Sequence, residues 1–148
     1  MSPIRLKRIL VPTDFSGTSE KAFGFAAELA RAFGAEIILL HVVDTRVVDN
    51  IFHIHQMPPE EARLQMLKTA EEGVARIMGL AEAEGLNISA RYVEGIPPVE
   101  VKKAAADLDA DLIAMGTHGT TGIAHLLYGS TADAVLRGAP CPVLTVNP

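Results

Sequence analysis

The sequence predicts an α/β fold, a doubly wound five-stranded parallel sheet with helices on both faces, and three observations support it. Short apolar runs alternate with longer amphipathic segments along the chain. Most of these runs have three or more consecutive apolar residues, which is typical of strands buried on both faces of a parallel sheet. The length of 148 residues suits one domain with its own core. We therefore expect a single domain over residues 1–148.

The first strand and helix follow each other directly. Residues 8–12 form an apolar run, and the Thr, Asp, Ser and Gly after it predict a turn. Ser16 and Thr18 are both suited to cap the next helix. Apolar residues then recur at helical spacing over residues 19–33, and Gly34 predicts the end of that helix.

A segment without periodicity separates the second strand from the second helix. Residues 36–43 predict another buried strand, and residues 44–59 show no clear pattern. We expect an irregular connection there, of a length often found in lids and mobile segments. Residues 60–84 carry one apolar stripe opposite a charged face, which predicts a helix that ends at Gly85.

The second half of the chain continues the alternation. Residues 87–93 alternate apolar with polar side chains, which is typical of an edge strand with one solvated face. Two prolines open a predicted helix over residues 97–108. A buried strand at residues 111–115, a short helix at 130–137 and a last strand at 142–146 complete the predicted order.

This order predicts where a ligand binds. Right-handed crossovers restrict the topology, and we expect strand order 3-2-1-4-5, with the first and fourth strands adjacent. Ligands of such sheets bind beyond the carboxyl ends of the strands, where the winding reverses. Here those ends are residues 12–14 and 115–116.

Composition excludes several classes of protein. The net charge is -5 and the sequence has no stripe of Lys and Arg with interleaved aromatics, so we expect no nucleic-acid partner. A single cysteine cannot form a disulfide within the chain, which favours a reducing compartment. The N-terminus shows no signal peptide, and no apolar run approaches the roughly 18 residues of a membrane span. We therefore expect a cytoplasmic protein without membrane association.

A glycine-rich loop follows the predicted fourth strand. Gly116 and Gly119 are separated by two residues, and after nine intervening residues Gly129 and Ser130 open a predicted helix. Glycine lets the backbone approach a ligand closely, and free amides at a helix start attract anions. We therefore expect main-chain N–H groups to hold a phosphate chain. Three hydroxyl groups are suited to add hydrogen bonds: those of Thr117, Ser130 and Thr131.

The same residues also have a structural interpretation. Gly116 and Gly119 are suited to turns, and Ser130 with Asp133 three residues later is suited to cap a helix. Asp14 is suited to form a turn through its own side chain. The full glycine spacing at the predicted reversal of the sheet favours the phosphate site over these alternatives.

The spacing from Gly116 to Ser130 resembles the ATP-binding signature of the universal stress protein family. Residues 7–16 (KRILVPTDFS), 40–43 (LHVV) and 139–146 (APCPVLTV) are similar to that family as well, so the resemblance covers the whole chain. The family has members with this glycine signature and members without it. Because the signature is complete here, the resemblance implies a member that binds ATP.

The resemblance also assigns residues to the nucleotide. Pro12, Thr13 and Asp14 would lie beside the nucleoside, with Asp14 near the ribose or adenine. The backbone of Val42 would face the adenine edge. The remaining implied contacts are Met115 and Gly116 at the pocket wall, and Gly119, Gly129, Ser130 and Thr131 at the phosphates.

The charge pattern argues against efficient catalysis. No Lys or Arg lies between Lys103 and Arg137, whereas phosphoryl transfer usually recruits cationic side chains. Backbone amides, a helix dipole and a divalent cation, Mg²⁺ or Mn²⁺, would then meet the phosphate charge. We expect a nucleotide-dependent module in stress signalling and assign no catalytic residue. A slow ATP hydrolase, a nucleotidyl-transfer enzyme of the same broad fold and a scaffold without nucleotide are the alternatives.

Four histidines are candidates for the core, the nucleotide site or a metal site. His41 is expected in the core or in a pocket wall, and His118 is a candidate contact of the nucleotide within the glycine loop. His53 and His55 have no third ligand at a recognisable spacing, so no metal ligand is assigned.

The last strand is expected at an edge of the sheet. Residues 143–146 carry little to discourage pairing with another strand. A two-fold partner would continue the sheet antiparallel through them. The resemblance implies the same homodimer, because members of the family commonly pair through their final strand.

Overall fold

The computed structural model describes residues 3–117 and 130–148, which form a five-stranded parallel sheet flanked by helices. The strands are β1 (Arg8–Pro12), β2 (Glu36–Asp44), β3 (Ile88–Gly95), β4 (Leu112–Gly116) and β5 (Val143–Val146). The helices are α1 (Gly17–Phe33), α2 (Thr45–His55), α3 (Pro59–Met78), α4 (Pro97–Asp107) and α5 (Ser130–Gly138), with a 3-10 turn at Ala81–Ala83. The strand order is β3-β2-β1-β4-β5. The predicted fold class and strand order are confirmed.

Two apolar layers cover the faces of the sheet. Successive side chains of a strand point to opposite faces, so β1 contributes Ile9 and Val11 to one layer and Leu10 to the other. The first layer packs against α1 and α3, and the second against α4 and α5. Both layers are nearly free of solvent, as the full burial of Phe23 in α1 and Val135 in α5 shows.

The two edge strands differ in how they meet solvent. In β3 half-buried and exposed positions alternate over residues 88–92, with Ser89 and Arg91 exposed, which confirms the predicted edge strand with one solvated face. β5 forms the opposite edge and pairs with β4 from Ile113↔Val143 to Gly116↔Val146.

Helix boundaries follow their capping residues. Ser16 caps α1 through its side chain, which accepts from the Ser19 N–H, and Gly34 ends the helix in the left-handed conformation at φ 69°. The prediction that the next long helix extends to residue 84 was wrong. α3 stops at Met78 because Gly79 follows it, a residue of low helix propensity whose N–H bonds back to three carbonyls of the last turn.

The prediction of an irregular connection over residues 44–59 was also wrong, because α2 occupies most of it. The side chain of Asp44 caps this helix, and Val48 is buried against Val43 and Ala62. Apolar side chains on the outer side obscure the helical period in the sequence: Phe52 is 44% and Ile54 72% exposed. The idea that this segment acts as a lid stays a prediction, now about a helix.

None of the helices in residues 3–117 and 130–148 is long and apolar enough to cross a membrane.

The small contact area of α2 leads to a prediction about local stability. Val48→Ala removes two methyl groups from the cluster with Val43 and Ala62, at a cost of about 2 kcal/mol. We expect faster amide hydrogen exchange in α2 and little change in the sheet. Val47→Ala is the matched control, because Val47 is 37% exposed. Equal exchange rates in the two variants would show that α2 does not depend on this cluster.

Candidate functional site

The turn after β1 is fixed by hydrogen bonds from its own side chains. The Thr13 N–H donates to the Leu40 carbonyl (2.9 Å), which keeps the chain beside β2 for one residue after β1 ends. The Thr13 hydroxyl accepts from the Phe15 N–H (3.0 Å). Asp14 Oδ1 accepts from the Ser16 N–H (3.0 Å), so the interpretation of Asp14 as a turn-forming residue is confirmed.

His41 of β2 lies against the same turn. Its Nδ1 is 2.9 Å from the Thr13 carbonyl oxygen. A carbonyl only accepts hydrogen bonds, so Nδ1 carries the proton and donates it. The imidazole also stacks on the ring of Phe15, with centroids 4.9 Å apart and 28° between the planes. His41 therefore forms part of the wall beside residues 13–15, as the sequence predicted for this histidine.

Val42 presents its backbone at the carboxyl end of β1. The carbonyl of Leu40 accepts from Thr13, so the main-chain groups of Leu40 face the β1 side. These groups alternate sides along a strand, and those of Val42, two residues later, face the same side. The β1–β2 register ends at Pro12↔Leu40. The N–H and carbonyl of Val42 therefore point into the space beyond the end of β1.

The end of β4 faces this space from the other side of β1. Met115 is 4% exposed, and Gly116 packs on the first turn of α1. A Cβ at Gly116 would stand 2.7 Å from Thr18 Cγ2 and 3.1 Å from the Ser19 nitrogen. From the sequence, Gly116 is expected to serve close approach to a ligand or a turn. In the structure its φ is not positive, and it permits the contact between β4 and α1.

Thr117 connects the end of β4 to the chain after β5. Its side chain is buried at 3% exposure, and its N–H donates to the Val146 carbonyl (2.9 Å). Its hydroxyl lies 3.1 Å from the amide oxygen of Asn147. The glycine loop therefore leaves the sheet from a point that is fixed to β5.

Part of the predicted phosphate site lies outside the described residues, namely His118, Gly119 and Gly129. Ser130 begins α5, as expected, and Thr131 is half-buried in its first turn. α1 and α5 each follow a strand of the same parallel sheet. The positive ends of both helix dipoles therefore lie at its carboxyl edge.

Asp44 adds a charged pair at the end of β2. Partial burial raises the pKa of its carboxyl, but hydrogen bonds and the charge from Arg46 outweigh that effect and hold the pKa below its usual value. The two side chains meet at 2.7 Å between Oδ2 and Nη2. Within residues 3–117 and 130–148, no three His, Cys, Asp or Glu side chains are grouped to hold a metal ion. His53 and His55 lie exposed in α2.

The structure brings most of the described candidates to one edge of the sheet. They are Pro12, Thr13, Asp14, Val42, Met115, Gly116 and Thr117. The sequence did not predict the contacts of Phe15 and Ser19 with Thr13, nor the contact of Asn147 with Thr117. Phe15 and Ser19 lie in or next to the turn predicted after the first strand, and this position was the one indication in the sequence that they contact Thr13. Nothing in the sequence linked Asn147 to residue 117.

Comparison with known proteins places these observations in a family. Residues 5–147 match the universal stress protein family. Universal stress protein MJ0531 of Methanocaldococcus jannaschii is 36% identical over 145 residues, which cover 95% of this chain and 82% of the relative.

Solved structures agree with this match. The protein MJ0577 of Methanocaldococcus jannaschii superimposes with a TM-score of 0.81 at 33% identity, and 98% of each chain is covered. A universal stress protein solved in complex with cAMP superimposes with a TM-score of 0.62 at 26% identity, covering 95% of each chain.

The contact of Gly116 with α1 leads to a prediction about stability. Gly116→Ala places a methyl group within 3.0 Å of the Thr18 backbone, and we expect a loss of about 1–3 kcal/mol in the free energy of unfolding. Gly24→Ala in α1 is the control, because a Cβ there meets nothing within 4 Å. It should be neutral or stabilising by up to about 1 kcal/mol. Urea unfolding measures both, and equal stability of the variants would contradict the proposed packing role.

Proposed function

Since the chain belongs to the universal stress protein family, we propose that it binds ATP at the carboxyl edge of β1 and β4. The observation that carries this proposal is the backbone of Val42 in β2, which faces the space beyond the end of β1, with the end of β4 on the far side of that space. The structural relative in complex with cAMP supports an adenine nucleotide as the class of ligand.

Adenine suits an exposed strand edge. Its amino group donates a hydrogen bond and its ring nitrogens accept one. The carbonyl of Val42 can accept from the amino group of adenine. The N–H of Val42, on the same side of the strand, can donate to a ring nitrogen. Val42 is also half-buried against the second apolar layer, and Met115 is buried in that layer. Their side chains are suited to contact the faces of a flat aromatic base.

The turn after β1 is suited to the sugar. Thr13 and Asp14 stand where β1 ends, and their side chains fix the turn through hydrogen bonds to Phe15 and Ser16. A preformed turn loses little conformational entropy on binding. We assign Pro12, Thr13 and Asp14 to the nucleoside.

We assign the phosphates to the glycine loop and the start of α5. The N-terminus of α5 supplies amide donors and the positive end of a dipole. The sequence between residues 103 and 137 supplies no Lys or Arg. A divalent cation, Mg²⁺ or Mn²⁺, therefore accompanies the phosphates in this proposal. The residues assigned to the phosphates are His118, Gly119, Gly129, Ser130 and Thr131. Gly116 stays assigned to the pocket wall, and Thr117 fixes the start of the loop through its bond to Val146.

The protein is proposed to use ATP as a signal in the stress response. Transition-state charge in phosphoryl transfer is usually stabilised by cationic side chains. Main-chain amides bind the ground state, and the assigned residues include no Lys or Arg that would stabilise charge developing during the reaction. A partner protein or a second copy of the chain would then recognise the ATP-bound form.

Calorimetric titration with ATP and Mg²⁺ tests the nucleotide site. We expect wild type to bind and Gly119→Val to lose measurable binding, because a branched side chain blocks close approach to backbone amides. Thermal unfolding should be similar in both proteins, and Gly24→Ala should bind like wild type. Retained affinity in Gly119→Val would contradict the assignment of the glycine loop. Mass spectrometry of the small molecule that co-purifies with wild type identifies the nucleotide.

We also propose a homodimer through β5. The carbonyls of Pro142, which precedes β5, and of Val146 accept from the β4 side, so residues 142, 144 and 146 face β4. Main-chain groups of Val143 and Thr145 then face outward along the sheet edge. A second copy related by a two-fold axis would pair antiparallel with this edge.

The alternation in β5 identifies the variant that tests the dimer. Thr145→Pro removes an outward N–H and keeps the ladder with β4, so we expect a monomer in gel filtration with multi-angle light scattering. Thr145→Val keeps the N–H and should stay dimeric. A dimer of unchanged mass in Thr145→Pro would rule out pairing through this edge.

A further inference from the structure

The ring of Phe15 is held between two residues that are not assigned to the nucleotide, His41 and Gly73. On one side it stacks on the imidazole of His41. On the other side it lies against the backbone of Gly73 in α3, where a Cβ would stand 2.5 to 2.8 Å from three of its ring atoms. Only a residue without a side chain allows the ring this position. Gly73 is therefore a contact surface for Phe15.

The backbone of Phe15 has an unusual conformation. Its φ is 65°, in the left-handed region that a bulky side chain adopts only when its surroundings compensate. The Thr13 hydroxyl accepts from the Phe15 N–H, and the burial of the ring against the first apolar layer adds to this compensation. The conformation of residues 13–15 thus depends on where the Phe15 ring can lie.

His41 also holds the backbone of the turn directly. Its Nδ1–H donates to the Thr13 carbonyl (2.9 Å), while its ring contacts Phe15. One side chain of β2 therefore fixes the beginning and the end of the turn. Val42, whose backbone faces the proposed adenine site, is the next residue along β2.

We infer that His41 and Gly73 are positioning residues for the nucleoside end of the ATP site. Together they fix the Phe15 ring and so hold Thr13 and Asp14 in the conformation that receives the nucleoside. This inference rests on the proposed function. It adds a requirement that α3 be docked against the turn for tight binding.

Gly73→Ala separates this inference from a general loss of structure. Alanine is the better helix former, so α3 should persist. The Phe15 ring must move by about 1 Å to reach ordinary contact distance from the new Cβ. We expect roughly tenfold weaker ATP binding in calorimetry, because a small misplacement of contact groups costs affinity. Gly24→Ala, a helical glycine with open space around it, should bind ATP like wild type.

Two further measurements identify Phe15 as the intermediary. Inorganic tripolyphosphate has no nucleoside, and its affinity should be the same in wild type and Gly73→Ala. In a Phe15→Leu background, a smaller and more flexible side chain accommodates the new methyl group. Adding Gly73→Ala there should change ATP affinity by less than about twofold, so the two substitutions are not additive.

His41 is tested by a pair of substitutions. His41→Asn keeps an N–H donor near the Thr13 carbonyl and should retain more ATP affinity than His41→Leu, which has none. Unchanged ATP affinity in Gly73→Ala, or an equal loss for tripolyphosphate and ATP, would overturn the inference while leaving the proposed function intact. Absence of ATP binding in wild type would refute the proposed function and the inference together.

Discussion

The unequal length of two neighbouring strands is the constraint on which the candidate site depends. β2 has nine residues and β1 has five, and their register ends where β1 reaches Pro12. β2 continues beyond that point. The edge of β2 that pairs with β1 up to Leu40 therefore faces the space beyond the end of β1 from there on. The winding of the sheet reverses between β1 and β4, so their crossover helices lie on different faces and leave this space open.

Close packing at glycine supports the same edge of the sheet. Gly116 lets the first turn of α1 approach β4, and Gly73 lets the Phe15 ring approach α3. Both contacts act on the segment between β1 and α1. A methyl group at either position meets atoms with little room to move, because interiors are close-packed. The turn is therefore defined by contacts with β2, α3 and β4, which are distant from it in sequence, as well as by its own hydrogen bonds.

Elements with a strong local signal were predicted correctly, and elements with a mixed signal were not. The buried centres of β1, β2 and β4 are runs of consecutive apolar residues, and Ser16 and Gly34 mark the ends of α1 by their own chemistry. α2 was missed because three of its exposed residues, Val47, Phe52 and Ile54, are apolar and only Val48 is buried. The early end of α3 was missed because the apolar stripe of the sequence continues past Gly79 into the 3-10 turn.

The sequence by itself determined the fold class, the strand order and the edge of the sheet at which the candidate residues lie. These follow from hydrophobic periodicity and the handedness of crossovers, which are properties of short segments and their order. Only the tertiary structure decided that the Val42 backbone faces that edge, that Gly116 serves packing, and that His41 and Gly73 enclose Phe15. Such contacts join residues far apart in the chain. Their geometry depends on how whole elements pack, and no local pattern in the sequence records it.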